Sequence, residues 1–368
     1  MWYKPVNESS IYTPAVLVYP DRIEENIRRM IRIAGNPDRL RPHVKTHKIP
    51  EVIRMQLKQG IKKFKCATLS EVEMVAASGG TDILLAYPLL GPGIKQFFKL
   101  IKLFPDATLA VLVDSESACG HIINQARISG ITLHVWVDLD NGMHRTGIEP
   151  DKSGPLIEFI QGNQWLIFGG LHVYDGHIHE IDFAERKAHC DRDMKEVLRL
   201  VNELEGNGVP VPELACGGTP TFPIHAKYES RTLCPGTPLF WDAGYTMALP
   251  DLDFLPSAVV AGRVISNPMG NVCLDLGHKS IASEMTHPRL HFLDLEINRV
   301  MNHSEEHLVV SVEDPGDVSV GDLVYAIPVH VCPTIALHEK VYVVQNQQVA
   351  DTWEVVARRR TYEHKTQK

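Results

Sequence analysis

Residues 108–138 read TLAVLVDSESACGHIINQARISGITLHVWVD, and they hold the fold in miniature. Thr108–Val113 and Leu133–Asp138 are short runs rich in Val and Leu, with the continuous apolar character of strands buried on both faces. Between them, Ser115–Ser129 has the spacing of an amphipathic helix. Strand, helix and strand within roughly thirty residues make a βαβ unit, which implies two parallel strands in one sheet.

The same alternation extends in both directions. Upstream lie the strand candidates Ala15–Tyr19, Leu40–Val44, Lys63–Ala67 and Asp82–Tyr87; downstream lie Ile167–Val173, Glu213–Cys216 and Thr232–Pro235. Helical stretches Arg22–Ile33, Leu69–Ala77, Gly93–Leu103 and Ala184–Leu204 alternate with them. About eight or nine strands before Trp241 predict an α/β fold of the (β/α)8 TIM-barrel type, with an open doubly wound sheet as the alternative. From Leu252 the helical spacing fades. Strand-like runs follow one another at Ser257–Ser266, Asn271–Asp275, Phe292–Met301, His307–Val312, Asp322–Ile327 and Lys340–Gln345. Gly270, Gly277, Asp314–Gly316 and Gly321 separate them as turns. The expected division is a barrel over 13–250 and a C-terminal all-β domain over 251–368, joined by residues 1–12. The basic end (Arg358, Arg359, Arg360, Lys365 and Lys368) reads as a frayed terminus.

Composition narrows the function. The 368 residues carry 37 basic and 45 acidic side chains, a net charge of −8, with 44% apolar and 22% charged residues. That is the profile of a globular protein with chain enough for a large core. No basic patch points to nucleic acid, and no uncharged apolar run reaches the 18 or so residues of a membrane helix. The opening Met1–Tyr12 is too polar for a secretory signal. Seven Cys at irregular spacing make no disulfide framework. The expectation is a cytoplasmic protein with a small-molecule partner.

Five stretches carry chemistry. Arg41-Pro42-His43-Val44-Lys45-Thr46-His47-Lys48 follows an early strand, on the face where barrel enzymes keep their active sites. Lys45 entering a buried mouth is suited to Schiff-base chemistry; a solvated loop lysine is the alternative. Cys216-Gly217-Gly218-Thr219-Pro220 and Pro235-Gly236-Thr237-Pro238 follow the last two barrel strands, where bare N–H groups and hydroxyls converge on phosphate. In the turn Asp138–Gly147, Arg145 is a fixed cation able to donate to a ring nitrogen, or else a brace for Asp138 or Asp140. His172-Val173-Tyr174-Asp175-Gly176-His177-Ile178-His179 puts His172 and Tyr174 on one strand face and offers His177 and His179 for acid–base work near neutral pH; core histidines satisfied by backbone carbonyls are the alternative. His330-Val331-Cys332, read as a strand, points an imidazole and a thiolate to one side, a pair suited to zinc.

Taken with Thr13-Pro14 and Asp275-Leu276-Gly277-His278-Lys279, these stretches run in family order across nearly the whole chain. The sequence resembles the fold-type III pyridoxal-phosphate (PLP) enzymes, within them the D-threonine aldolase and D-serine dehydratase group. The resemblance implies PLP held by Lys45, with its phosphate at Gly217, Gly218, Thr219, Gly236 and Thr237, and its ring near Arg145 and Tyr174. It also implies one divalent metal on His330 and Cys332, zinc first with manganese or magnesium as alternatives, and a homodimer. The implied activity is a lyase on β-hydroxy-D-amino acids, cleaving D-threonine to glycine and acetaldehyde with His177 or His179 as the hydroxyl base. His-x-Cys rather than His-x-Asp is the dehydratase form of the metal pair, so dehydration of D-serine or D-threo-3-hydroxyaspartate is the alternative. A racemase using Tyr325 or Tyr342, and a PLP-binding protein without catalysis, stand further back.

Overall fold

A computed structural model describes residues 1–314 and 318–360. Gly316, Lys365 and Lys368, from the turn and the basic end discussed above, lie outside the described residues. The described residues form two compact units, one of residues 30–45, 53–236 and 359–360, the other of residues 1–29, 46–52, 237–314 and 318–358. Two of the points at which the chain passes from one to the other are Lys45–Thr46 and Gly236–Thr237.

The first strand, β1 (Ala15–Val18), precedes seven that follow as β2 (Lys63–Cys66), β3 (Asp82–Pro88), β4 (Thr108–Val113), β5 (Leu133–Leu139), β6 (Leu166–Val173), β7 (Leu214–Cys216) and β8 (Arg231–Leu233). These seven make a parallel sheet in sequential order, each strand beside the next in the chain, as in a singly wound barrel. Residues 40–43 close it. Leu40 bridges Leu233 and His43 bridges Lys65, both in parallel. Three backbone bonds hold this closure: Arg41 N–H to Leu233 O at 2.8 Å, His43 N–H to Pro235 O at 2.9 Å and Lys65 N–H to Pro42 O at 3.0 Å. The barrel expectation is therefore met, but its opening position is filled by residues 40–43. Ala15–Val18 is a strand of the other sheet.

Local chemistry explains the helices. Ser115 caps Glu116–Ser129 by accepting from Ala118 N–H, and Gly130 ends it in the left-handed region at φ 65°. Asp182 caps the long helix Phe183–Gly206 by accepting from Glu185 N–H. Inside the barrel, Leu84, Ala110, Leu112, Trp136, Ala215 and Cys234 form a buried cluster. Gly169 makes room for the indole, since a Cβ there would lie 2.4 Å from Trp136 Nε1. Arg41 is 1% exposed and forks between Asp82 and Glu213, with N–O distances of 2.7–3.1 Å. A planar guanidinium with carboxylates on both sides is one of the few ways to bury a charge.

The second unit carries β9 (Ala258–Ser266), β10 (Val272–Leu274), β11 (Leu290–Phe292), β12 (Ile297–His303), β13 (Leu308–Val312), β14 (Leu323–Pro328), β15 (Lys340–Gln345) and β16 (Gln348–Glu354). With β1 they form a nine-stranded mixed sheet in which β1 runs parallel to β15 and antiparallel to β9. Its core gathers Tyr3, Ile11, Leu17, Tyr19, Val259 and Tyr325. The run expected as one strand over Phe292–Met301 is two: β11 pairs with β14 and β12 with β13. His330 and Cys332 are not on a strand. His330 is the N-cap of a short helix, Val331–Leu337, and Cys332 lies in its first turn.

Candidate active site

In the barrel unit, Lys45 sits in a 3-10 turn (Val44–Thr46) just past the closing segment. Its ammonium lies 5.8 Å from the centre of the Tyr174 ring; Lys65 Nζ is at 5.3 Å and the Arg145 guanidinium carbon at 4.7 Å. Three cations thus gather on one half-buried phenol, an arrangement that cation–π attraction alone does not balance. Lys65 is 3% exposed and forms no ion pair among the described residues. Burial lowers its pKa; Cys234 opposes this most, Lys45 adds a smaller lowering, and Asp138 and Asp175 oppose more weakly still. Such a cluster is built to receive an anion.

Beside it, His172 Nδ1 lies 2.6 Å from Asp138 Oδ1, and Asp138 also accepts from the Thr146 hydroxyl at 2.8 Å. Burial, then the nearby Lys65, lowers the His172 pKa, so the imidazole is neutral and donates its Nδ1–H to Asp138. That leaves His172 Nε2 buried with no partner, a free acceptor facing the interior.

The two glycine turns do meet. Gly217 follows β7 at φ 75°, where a Cβ would be 2.6 Å from both Thr221 Oγ1 and His225 Cδ2. A Cβ on Gly218 would be 3.2 Å from the Tyr174 ring. Gly218 N–H reaches Thr221 Oγ1, and Gly236 N–H reaches Thr219 Oγ1, each at 3.3 Å, so the turns are tied to each other.

Under this loop runs a buried chain that the sequence did not reveal. Asp175 accepts from Thr221 Oγ1 at 2.8 Å and faces His225 Nε2 at 2.8 Å, while Arg231 donates to His225 Nδ1 at 2.9 Å. The Arg231 bond fixes the His225 proton on Nε2. Burial pushes the Asp175 carboxyl up, but the bonds from His225 and Thr221 outweigh it and hold the pKa below the usual range.

The two imidazoles after Tyr174 have different surroundings. His177 Nε2 is 2.9 Å from Asp193 Oδ2, and its Nδ1 is buried without a partner. His179 is exposed and makes no hydrogen bond among the described residues.

In the other unit, Cys332 Sγ donates to Thr46 Oγ1 at 3.2 Å and lies 3.8 Å from Thr237 Oγ1. Thr46 and Thr237 are the chain neighbours of Lys45 and Gly236. His330 and Cys332 remain side by side although they are not on a strand. Burial depresses the His330 imidazole, but its hydrogen bond with Cys332 and the Glu284 carboxylate push its pKa up to about 9. Asp242 anchors the helix start by accepting from Val331 N–H at 3.0 Å. An imidazole nitrogen beside a thiol, with carboxylate support from Glu284, is a donor pair that suits a borderline-soft divalent ion.

Comparison with known proteins agrees with this geometry. The profile of the alanine racemase N-terminal domain matches residues 18–243, and that of a putative serine dehydratase domain matches 257–344. A D-threonine aldolase from Arthrobacter sp. is 30% identical over 355 residues, covering 94% of this chain and 92% of that protein. A D-threo-3-hydroxyaspartate dehydratase from Delftia sp. (strain HT23) is 32% identical over 238 residues, 62% of this chain and 61% of the relative. Among solved structures, the D-threonine aldolase of Filomicrobium marinum superposes with a TM-score of 0.88 at 27% identity, covering 96% of this chain and 97% of that one. The Delftia dehydratase superposes at 0.79 with 25% identity, covering 94% and 97%.

Proposed function

The chain belongs to the alanine racemase-like, fold-type III family of PLP enzymes, and on that premise we propose that it is a lyase cleaving β-hydroxy-D-amino acids, D-threonine to glycine and acetaldehyde. The observation that carries this reading is the set of three cations on Tyr174 beside paired glycine turns. Lys45 would hold the cofactor's aldehyde carbon, and Gly217, Gly218, Thr219, Gly236 and Thr237 its phosphate. Arg145 and Tyr174 would border its ring. Bound PLP supplies the electron sink that makes a bond at Cα labile. His330 and Cys332 would hold one divalent ion, zinc on the softness of the thiolate, as a Lewis acid for the substrate hydroxyl.

The protein's own part is to choose which bond breaks. Cleavage between Cα and Cβ needs a base on the hydroxyl proton. His177 has its Nε2 on Asp193 and its unpartnered Nδ1 buried, so the exposed His179 takes that role, with His177 holding the turn that presents it. Lys45 Nζ is the base for the Cα proton. When it acts first, the hydroxyl would leave as water, and a second water would displace the nitrogen as ammonia to give a keto acid.

Cys332 favours that second reading, since the resemblance gives His-x-Cys as the dehydratase form of the pair, and a cysteine-to-alanine variant of a D-threo-3-hydroxyaspartate dehydratase is known in a metal-free form. Incubating PLP- and zinc-loaded protein with D-threonine, D-serine and D-threo-3-hydroxyaspartate separates the readings by product. Acetaldehyde with glycine supports the aldolase, and 2-oxobutyrate with ammonia the dehydratase. Interconversion of D-threonine and L-allo-threonine, the Cα epimer, without cleavage overturns both. His179→Ala should lower the cleavage rate by about 10²–10⁴, and an unchanged rate would remove it from the mechanism. The homodimer is the proposed working unit, to be read by sedimentation. Among the described residues no helix is long and apolar enough to cross a membrane. All seven cysteines are free thiols, which supports the cytoplasm as the proposed compartment.

A further inference from the structure

A second set of metal-type donors stands in the barrel unit, independent of the proposed function. His189 and Asp193 lie four residues apart on the helix Phe183–Gly206, hence on one face a turn apart. His177 comes to them from the turn after Tyr174. His177 Nε2 is 2.9 Å and His189 Nε2 3.1 Å from the same oxygen, Asp193 Oδ2. The three donor atoms all lie within 4.8 Å of one another. Glu180 takes the other nitrogen of His189, Nδ1, and Arg192 Nε rests 3.2 Å from the second Asp193 oxygen.

Proton counting shows what is missing. Three ring-nitrogen contacts fall on carboxylate oxygens: His189 Nδ1 on Glu180, His189 Nε2 on Asp193, and His177 Nε2 on Asp193. Two neutral imidazoles own only two N–H groups, so one contact lacks its hydrogen. Two carboxylates against the exposed Arg192 leave negative charge to be met. Either an extra proton makes His189 an imidazolium, or a dication takes the place of the protons between Asp193 and the two Nε2 atoms. The second solution matches how ligating histidines are usually held, with the far N–H donated to a carboxylate, here Glu180. Gly142 keeps the approach clear: a Cβ there would stand 2.8 Å from His177 Nε2 and 3.2 Å from Asp193 Oδ2, and its φ of 128° suits only glycine.

We propose that His177 Nε2, His189 Nε2 and Asp193 Oδ2 bind one divalent transition-metal ion of the zinc class, pinning the turn after Tyr174 to the long helix. Two nitrogens and a carboxylate oxygen suit zinc and cobalt(II), and three ligands leave a coordination position for water.

The test uses full-length, PLP-loaded Cys332→Ala protein, stripped by chelation and titrated with cobalt(II) chloride. One equivalent should bind, with visible d–d bands, no thiolate charge-transfer band, and displacement by zinc. In that background His189→Gln or Asp193→Asn should abolish the bands, and Glu180→Gln should weaken binding by roughly 10–100-fold. Circular dichroism and the PLP absorbance report whether each variant is folded. If Cys332→Ala protein binds no cobalt, or if folded His189→Gln and Asp193→Asn proteins bind it as before, the site does not exist. Should both of those variants fail to fold, X-ray absorption on zinc-loaded Cys332→Ala protein decides: two imidazoles per zinc support the site, and any other shell overturns it. Because the readout is metal content rather than turnover, it stands whether or not the lyase reading does.

Discussion

Replacing Asp175 by Asn keeps the shape of the side chain and removes its charge, and the buried chain beneath the glycine turn makes the cost calculable. Asp175 is 2% exposed, and His225, Thr221 and Arg231 are 0%, 0% and 3% exposed, so solvent screens none of it. The carboxylate accepts from two donors, Thr221 Oγ1 and His225 Nε2–H, while Arg231 blocks His225 from switching tautomer. An amide can accept on one side only. If its NH2 faces His225, two donors collide; if its oxygen does, the Thr221 hydroxyl loses its acceptor. In both arrangements Arg231 keeps a buried positive charge whose partner at the far end of the chain is gone. One lost hydrogen bond to a charged group costs about 1.5–3 kcal/mol, and breaking a buried charge pair from one side about 3–5 kcal/mol. These overlap rather than add, so the expected loss is about 3–5 kcal/mol in unfolding free energy. Urea unfolding of the PLP-loaded protein at neutral pH measures it, with the exposed Asp151→Asn as control. Thr221 also receives Gly218 N–H, so PLP affinity should fall together with stability. A loss below about 1 kcal/mol, the range of an ordinary surface change, would refute the assignment of a charged Asp175 paired through His225.

Four further outcomes are expected. Borohydride reduction of the holoprotein should fix pyridoxyl on Lys45, and label found on Lys48 or Lys65 instead would overturn the attachment. Gly217→Ala, which places a methyl 2.6 Å from Thr221 and His225 at a positive φ, should weaken PLP binding at least about tenfold, read by absorbance titration. Chelation, or Cys332→Ala, should abolish lyase turnover while the protein stays yellow; full activity in a metal-stripped sample would remove the metal from the reaction. His47 is wholly buried, and burial pushes its pKa down to about 3 despite the Ile49 N–H bond on Nδ1. The unfolded chain therefore takes up a proton near pH 6.5 that the native protein refuses. Stability from this group is complete above that pH and falls by about 1.4 kcal/mol per pH unit toward pH 3. The acid slope of the urea midpoint should flatten in His47→Leu, and an equal slope would contradict the burial argument.

The barrel was legible because its strands and helices declare themselves locally: Leu69–Ala77 is found where its spacing put it. What could not be read was partnership. Ala15–Val18 looks like any buried strand, and only distant residues on β9 and β15 decide which sheet receives it. The break between β11 and β12 has no glycine or proline to announce it; Leu293–Glu296 turn the chain from one partner strand to another. The helix at His330 did carry a signal. Pro333 stands in its first turn, where proline costs nothing, and would be out of place inside a strand. In the site, Lys45, Arg145, Tyr174 and the two glycine turns were readable as strand-end motifs. Lys65, Thr221, His225 and Arg231 were not, because each is an unremarked residue whose meaning comes from neighbours brought by folding.

A barrel closed by three backbone hydrogen bonds has a seam. Pro42 has no N–H to give, so residues 40–43 stitch β8 to β2 more sparsely than β5 and β6 are stitched over seven paired residues. The Arg41 fork compensates as a side-chain clasp on Asp82 and Glu213. Amide hydrogens of Arg41, His43 and Lys65 should therefore exchange with solvent sooner than those along β5 and β6, since sparse pairing sets the cheapest local opening. Lys45 stands two residues beyond the last stitch. If the cofactor is held at Lys45 as proposed, parting of the seam and departure of the cofactor would be a single event, and thermal inactivation would begin at this line rather than in the packed interior.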